Sequence, residues 1–406
     1  MKPFNPEQAL LSTRREFGEH GGVTPSISRS STFMVMEPGT MADIFTGKKG
    51  PDQGGYFLYG RHCNPTVAAL SRYLAAMEDC QAALCTASGM AAIACALMQL
   101  CQKGDHIVAS DCIYGGSHAL MESLFPQMGI TTTFVNIADT GAVEGAITPK
   151  TRVIYTEAMG NPILRIADLP TLSKLAHPRN IKLVVDNTFS PLVFSPKRLG
   201  ADVVIYAMTK YINGASDLIA GAVCGDEAFI QEMMDLNTGR AMLIGPTMDP
   251  RAAFDIIQRL PHLPMRMKEH GQRGQAMAQM LSDMGLSVIY PGLDSHPQHE
   301  LAIQMGNPGY GMGGIIALDC GTRERAEALM DLLQNQEEFG FMAVSLGYFD
   351  TLISCSGSST SSEIDEVDQK KMGLSPGLLR ISLGYTGDMD ARMEQMRRGV
   401  EKVGLK

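Results

Sequence analysis

An aspartate and a lysine close two short apolar runs in the middle of the chain. Asp186 follows Lys182–Val185, and Lys210 stands a few residues beyond Ala201–Ile205, within IKLVVDNTFSPLVFSPKRLGADVVIYAMTKYINGASDLI. An amine can bond an aldehyde, and a buried carboxylate can keep a ring nitrogen protonated. Set on neighbouring strand ends, the two are what a pyridoxal phosphate cofactor needs. Equally, Asp186 can begin a turn and Lys210 can stand in solvent. Taken alone, the pair leaves both readings open.

Other residues could join such a site, each with a plainer alternative. Ser88, Gly89 and Met90 form a small-residue turn between a strand candidate and an apolar helix, where free N–H groups and the helix dipole favour a phosphate. Many α/β turns look like this and bind nothing. Tyr114 follows the strand HIVAS and precedes Gly115-Gly116; it could stack on a flat ring or sit half-buried in a core. Tyr59 and Arg61, two apart on an extended segment, could both reach one phosphate, or belong to an ordinary polar loop. Arg380 stands inside LLRISL, where a guanidinium needs a partner: a ligand carboxylate or an internal salt bridge.

The elements that would position these residues can be read from periodicity. Strand candidates at Ala82–Cys85, His106–Ser110, Thr131–Val135, Arg152–Thr156, Lys182–Val185 and Ala201–Ile205 alternate with helical segments. That order predicts a parallel sheet from about residue 80 to 225, with function at the strand ends: Gly89, Tyr114, Asn161, Asp186 and Thr209-Lys210. Beyond Gly225 come a helix, a turn and a long helix that continues through PMRMKEHGQRGQAMAQMLSDMG. Strand candidates at Ser287–Tyr290, Gly314–Leu318, Met342–Ser345 and Leu379–Ser382, with a helix at Arg323–Leu333, suggest a smaller α+β domain. The expected division is an arm at 1–62, packing on a neighbouring subunit, a large domain at 63–256 and a small C-terminal domain at 257–406.

Bulk composition narrows the function classes. A chain of 406 residues with 45% apolar and 19% charged residues is globular rather than disordered. A net charge of −9 without a basic run argues against nucleic acid. No apolar run reaches membrane-spanning length and no leader pattern opens the chain, so a cytoplasmic protein is expected. The nine cysteines are scattered without metal-ligand spacing, which suggests core thiols and no metal. No G-x-G-x-x-G follows a strand and no P-loop or G-x-S-x-G is present, which sets dehydrogenases and serine hydrolases behind.

Together the pieces resemble the Cys/Met-metabolism family of fold type I pyridoxal phosphate enzymes over nearly the whole chain. The resemblance rests on YGRHCNPT at 59–66, ASGMAA at 87–92, DCIYGGS at 111–117, EAMGNP at 157–162, VVDNTF at 184–189, TKYINGASD at 209–217, SLG at 345–347 and LLRISLG at 378–384. It implies the family's α/β fold, a mostly parallel sheet flanked by helices plus a smaller α+β domain. By the same resemblance Lys210 would be the lysine that bonds the cofactor and Asp186 the partner of its ring nitrogen. Ser88, Gly89, Met90 and Thr209 would hold the phosphate, joined by Tyr59 and Arg61 from the neighbouring subunit. Tyr114 would stack on the ring and help activate the leaving group. Asn161 would contact the cofactor's phenolic oxygen, and Ser345 and Arg380 the substrate α-carboxylate. A homotetramer of two catalytic dimers, acting on a small amino acid, is implied as well.

The chain departs from the family pattern at four places. Ala207 replaces a hydroxyl residue, Ala215 a histidine, Tyr385-Thr386 an acidic pair, and Gly116 the cysteine of some relatives. Val344 is apolar where relatives that process cystathionine often carry an acid, which suits an uncharged thioether. The reaction the resemblance implies is therefore γ-elimination of L-methionine to methanethiol, 2-oxobutanoate and ammonia. The alternatives are γ-replacement on an O-acylated homoserine with sulfide or a thiol, and a relative that keeps the fold without turnover.

Overall fold

In a computed structural model of the chain, residues 4–13, 21–51, 53–355 and 373–406 are described. Seven strands build the larger sheet: β1 (Ala82–Thr86), β2 (His106–Ser110), β3 (Thr131–Val135), β4 (Thr151–Glu157), β5 (Lys182–Asp186), β6 (Val203–Tyr206) and β7 (Gly221–Gly225). Their order is β1-β7-β6-β5-β4-β2-β3, and all are parallel except β7, which runs against both its neighbours. The central strands are apolar along their length because both faces are covered. On β5, Leu183 and Val185 enter one core while Val184 enters the other; on β6, Val204 and Tyr206 oppose Val203 and Ile205. Alternate side chains thus feed the two helical layers. The helix Pro65–Glu78 packs on the first face through Leu70, Leu74 and Met77, and Gly89–Leu100 on the second through Ile93, Ala96 and Leu97.

The smaller sheet holds β8 (Ser287–Ile289), β9 (Ile315–Asp319), β10 (Phe341–Met342), β11 (Leu352–Cys355) and β12 (Leu378–Ser382), in the order β10-β11-β12-β9-β8. Only β10 and β11 run parallel. Helices Leu263–Asp283 and Arg323–Asn335 pack against it, and Met389–Lys402 packs on those two helices.

Three expectations need correction. Gly221–Gly225 was not expected as a strand; its terminal glycines weaken the pattern, and as an antiparallel strand it needs no crossover helix to announce it. The strand expected at Met342–Ser345 stops at Met342, because β10 pairs with β11 over only two residues. Ser345 lies in a loop instead. At Gly347 (φ +74) that loop passes so close to the residue after Lys210 that a Cβ would stand 2.6 Å from the Tyr211 nitrogen. The long helix expected beyond residue 250 is two, Pro250–Arg259 and Leu263–Asp283, separated by a 3₁₀ turn at Leu260–His262 where Pro261 and Pro264 remove ladder donors.

Candidate active site

The carboxyl ends of β4, β5 and β6 meet β12 through its middle residue, Arg380, which bonds Asn161 just beyond β4. Asp186 closes β5, and its Oδ1 accepts the Thr188 N–H at 2.9 Å. Burial pushes its carboxyl up to about 6, against the hydrogen bonds from Thr188. Among the described residues no cation pairs with it. Thr188 Oγ1 in turn accepts the Ala207 N–H at 2.8 Å, tying the turn after β5 to the end of β6.

Lys210 stands in the connection from β6 to β7. Thr209 closes that connection: its hydroxyl accepts the Ala220 N–H at 3.1 Å and donates to the Ala220 carbonyl at 3.3 Å. The Lys210 amine donates to Ser345 Oγ at 2.9 Å. Burial, and then the Arg380 charge, bring that amine down to about 8. Ser88 caps the Gly89–Leu100 helix by accepting the Ala91 N–H at 3.1 Å, so the amides of Gly89 and Met90 open the helix without intrahelical acceptors. Gly89 has to be glycine, since a Cβ there would stand 2.6 Å from that of Ala207.

Arg380 reaches the site from β12. It is 2% exposed, and burial lowers its guanidinium to about 10. Nη1 donates to Asn161 Oδ1 at 3.1 Å and Nη2 to the Ser345 carbonyl at 3.3 Å, while Nε has no hydrogen-bond partner among the described residues. Tyr114 is 43% exposed at the start of the short helix Gly115–Ala119.

Lys210, Ser345, Arg380 and Asn161 therefore form one hydrogen-bonded group, with Asp186 on the neighbouring strand end. Tyr59 and Arg61 stand apart from it: Tyr59 is exposed, and Arg61 donates to the Met242 carbonyl at 2.9 Å. One residue of the site was not singled out from the sequence. Glu157 ends β4 and accepts the backbone N–H of Tyr114 at 2.7 Å and of Asn161 at 2.9 Å. Burial, then the neighbouring Asp186, push its carboxyl up to about 8. Its signals were an acid at the end of an apolar strand and its place at the head of EAMGNP.

The arrangement fits pyridoxal phosphate. It offers a buried amine of lowered basicity, a buried carboxylate lacking a cation, a helix start for a phosphate and a buried guanidinium with an unused N–H. Among the described residues no cluster suits a metal ion, and no helix is long and apolar enough to cross a membrane.

Comparison with known proteins shows the family. Residues 8–398 match the family described as Cys/Met metabolism PLP-dependent enzyme. Methionine gamma-lyase of Arabidopsis thaliana is 52% identical, over 97% of this chain and 90% of that one. Cystathionine gamma-synthase of Mycobacterium bovis is 39% identical, over 83% of this chain and 86% of its own length. Among solved structures, cystathionine gamma synthase from Xanthomonas oryzae pv. oryzae, in complex with aminoacrylate and cysteine, superposes with a TM-score of 0.88. It has 28% identity and covers 100% of both chains.

Proposed function

The chain belongs to the Cys/Met metabolism family of pyridoxal phosphate-dependent enzymes, and from that premise we propose that it is a carbon–sulfur lyase acting by γ-elimination. The substrate is L-methionine; with water it yields methanethiol, 2-oxobutanoate and ammonia. The observation that carries this reading is the bonded group of Lys210, Ser345, Asn161 and Arg380, which sets a basic amine beside a carboxylate-binding guanidinium. Val344, apolar and 68% exposed beside Ser345, supports an uncharged thioether tail over a second ammonium.

Pyridoxal phosphate, when bound, supplies the sink for the electron pair left at the substrate's α-carbon. The chain's own residues do the rest. Asp186 keeps the ring nitrogen protonated, and that positive charge relieves the cost of burying Asp186. Ser88, Gly89, Met90 and Thr209 hold the phosphate at the helix start, and Asn161 contacts the phenolic oxygen. Arg380 and Ser345 bind the α-carboxylate. With substrate on the cofactor, the Lys210 amine would take the α-proton, and a β-proton must also leave so that its electron pair can expel the γ-sulfur; an amine brought down to about 8 suits such a base. Tyr114 would stack on the ring, and its hydroxyl would give a proton to the departing sulfur.

The same proposal includes a homotetramer of two catalytic dimers, with Tyr59 and Arg61 of one chain reaching the phosphate held by its neighbour. An arm at 1–62, a large domain at 63–256 and a small one at 257–406 suit that assembly. A cytoplasmic setting is supported by the nine cysteines, seven of them buried.

The test is to incubate holoenzyme with L-methionine, and separately with O-acetylhomoserine plus sulfide. Release of 2-oxobutanoate from methionine is expected. Homocysteine formed from the second mixture, with no 2-oxobutanoate from the first, would make the enzyme a γ-replacement catalyst instead.

A further inference from the structure

We propose that Glu157 is a positioning residue whose two buried carboxyl oxygens tie the backbones of Tyr114 and Asn161 to the end of β4 and, through Asn161, hold Arg380 in place. The proposal rests on the roles given above to Tyr114 and Arg380. Neither proton transfer nor cofactor binding as described makes use of Glu157, yet it is 6% exposed and stands in register with Asp186 across the β4–β5 pair. A second carboxylate at that place is costly, since two buried acids side by side disfavour each other's charge. What offsets the cost is the pair of bonds it makes.

Each oxygen takes one peptide N–H, and the two come from different loops. Oε1 binds the amide of Tyr114, in the segment between β2 and the helix Gly115–Ala119. Oε2 binds the amide of Asn161, in the segment after β4. Asn161 then presents Oδ1 to Arg380 Nη1. A single side chain thus sets where the phenol stands, where the Asn161 amide points and how one guanidinium N–H is engaged. Arg380 also contributes a favourable charge to Glu157, though burial and Asp186 outweigh it. Two converging N–H donors call for two acceptor oxygens. A glutamine offers one, and turns an NH₂ toward the other donor. Aspartate keeps both oxygens but draws them back by one C–C bond, about 1.5 Å.

The experiment compares wild-type and Glu157→Gln holoenzymes in binding L-norleucine, the carbon isostere of methionine with no sulfur to expel, followed by the cofactor's visible absorbance. Glu157→Gln should weaken L-norleucine binding about tenfold, as expected when a binding group is displaced by a fraction of an ångström. The kcat/KM for methionine should fall further, because Tyr114 is displaced as well. Amide hydrogen exchange in the segment 112–116 should quicken. If Glu157→Gln does not fold, Glu157→Asp carries the same comparison. A variant that melts earlier, or shows a shifted pH profile, while binding L-norleucine as the wild type does overturns the proposal. Wild-type enzyme that binds L-norleucine but makes no 2-oxobutanoate defeats the lyase reading alone and leaves the Glu157 comparison intact.

Discussion

Lys210 is poised between two demands. In the role proposed for it, it must be neutral to attack the cofactor's aldehyde and later to take a proton, yet it begins as an ammonium. Burial resolves this by bringing the amine down to about 8, from an ordinary value of 10.5. Cofactor-free enzyme should therefore recapture pyridoxal phosphate faster as pH rises, with a midpoint near 8, because only the neutral amine is a nucleophile. Stopped-flow absorbance measures it, and a midpoint near 10 would mean the lysine is solvated. Arg380→Ala should raise KM for methionine about a hundredfold, since it removes a charged partner and leaves Asn161 Oδ1 unpaired. Steady-state kinetics tests that; an unchanged KM would place the α-carboxylate elsewhere. Lys210, Asp186 and Arg380 were legible because a charged side chain closing or interrupting an apolar run is chemically conspicuous. Glu157 also closes an apolar run, but its role was not legible, because what it does depends on two amides 43 and 4 residues away in sequence. No pattern in the chain announces a backbone partner.

At the scale of elements, the strand ends are tied together behind the site by a buried polar chain. Glu78, at the end of the helix Pro65–Glu78, accepts the Tyr206 hydroxyl and the Lys197 N–H; Tyr206 then accepts from Asn187 Nδ2 at 3.0 Å. Asn187 adjoins Asp186 and takes the Ser190 hydroxyl at 2.7 Å. Burial pushes Glu78 up to about 8, from an ordinary 4.5. A carboxyl whose pKa is raised on folding binds more protons folded than unfolded, so its contribution to stability declines as pH rises from about 4.5 to about 8. Glu78→Gln should flatten that decline in melting temperature, because its amide still joins Lys197 to Tyr206 without a charge to bury. A pH dependence equal to the wild type's would assign it to other groups, with Glu157 and Asp186 next in line. The central strands were legible because apolar runs covered on both faces leave no ambiguity. β7, framed by glycines, and the two-residue β10 were not, because strands that short are defined by their partners.

The whole molecule sets the remaining question, which is whether Tyr59 and Arg61, apart from the site in their own chain, complete that of a neighbour. Arg61 is held by the Met242 carbonyl, and the segment before it carries Met34, Met36, Met41 and Phe45 exposed. Exposed apolar side chains of this kind are costly in a monomer and useful in an interface. If Arg61 completes the phosphate site of a neighbouring subunit, then Arg61→Ala should weaken cofactor retention on dialysis by removing a charge-assisted contact. The sharper test is complementation. Lys210→Ala chains lack the essential amine, and Arg61→Ala chains hold the cofactor poorly. Unfolded together and reassembled, half the dimers pair one of each. In those, the Arg61→Ala chain supplies an intact Lys210, its partner supplies an intact Arg61, and one of the two sites is wild type. About a quarter of wild-type activity should return at limiting cofactor. Were Arg61 to act within its own chain, every site in the mixture would lack one residue or the other, and the mixture would do no better than the mean of its parents.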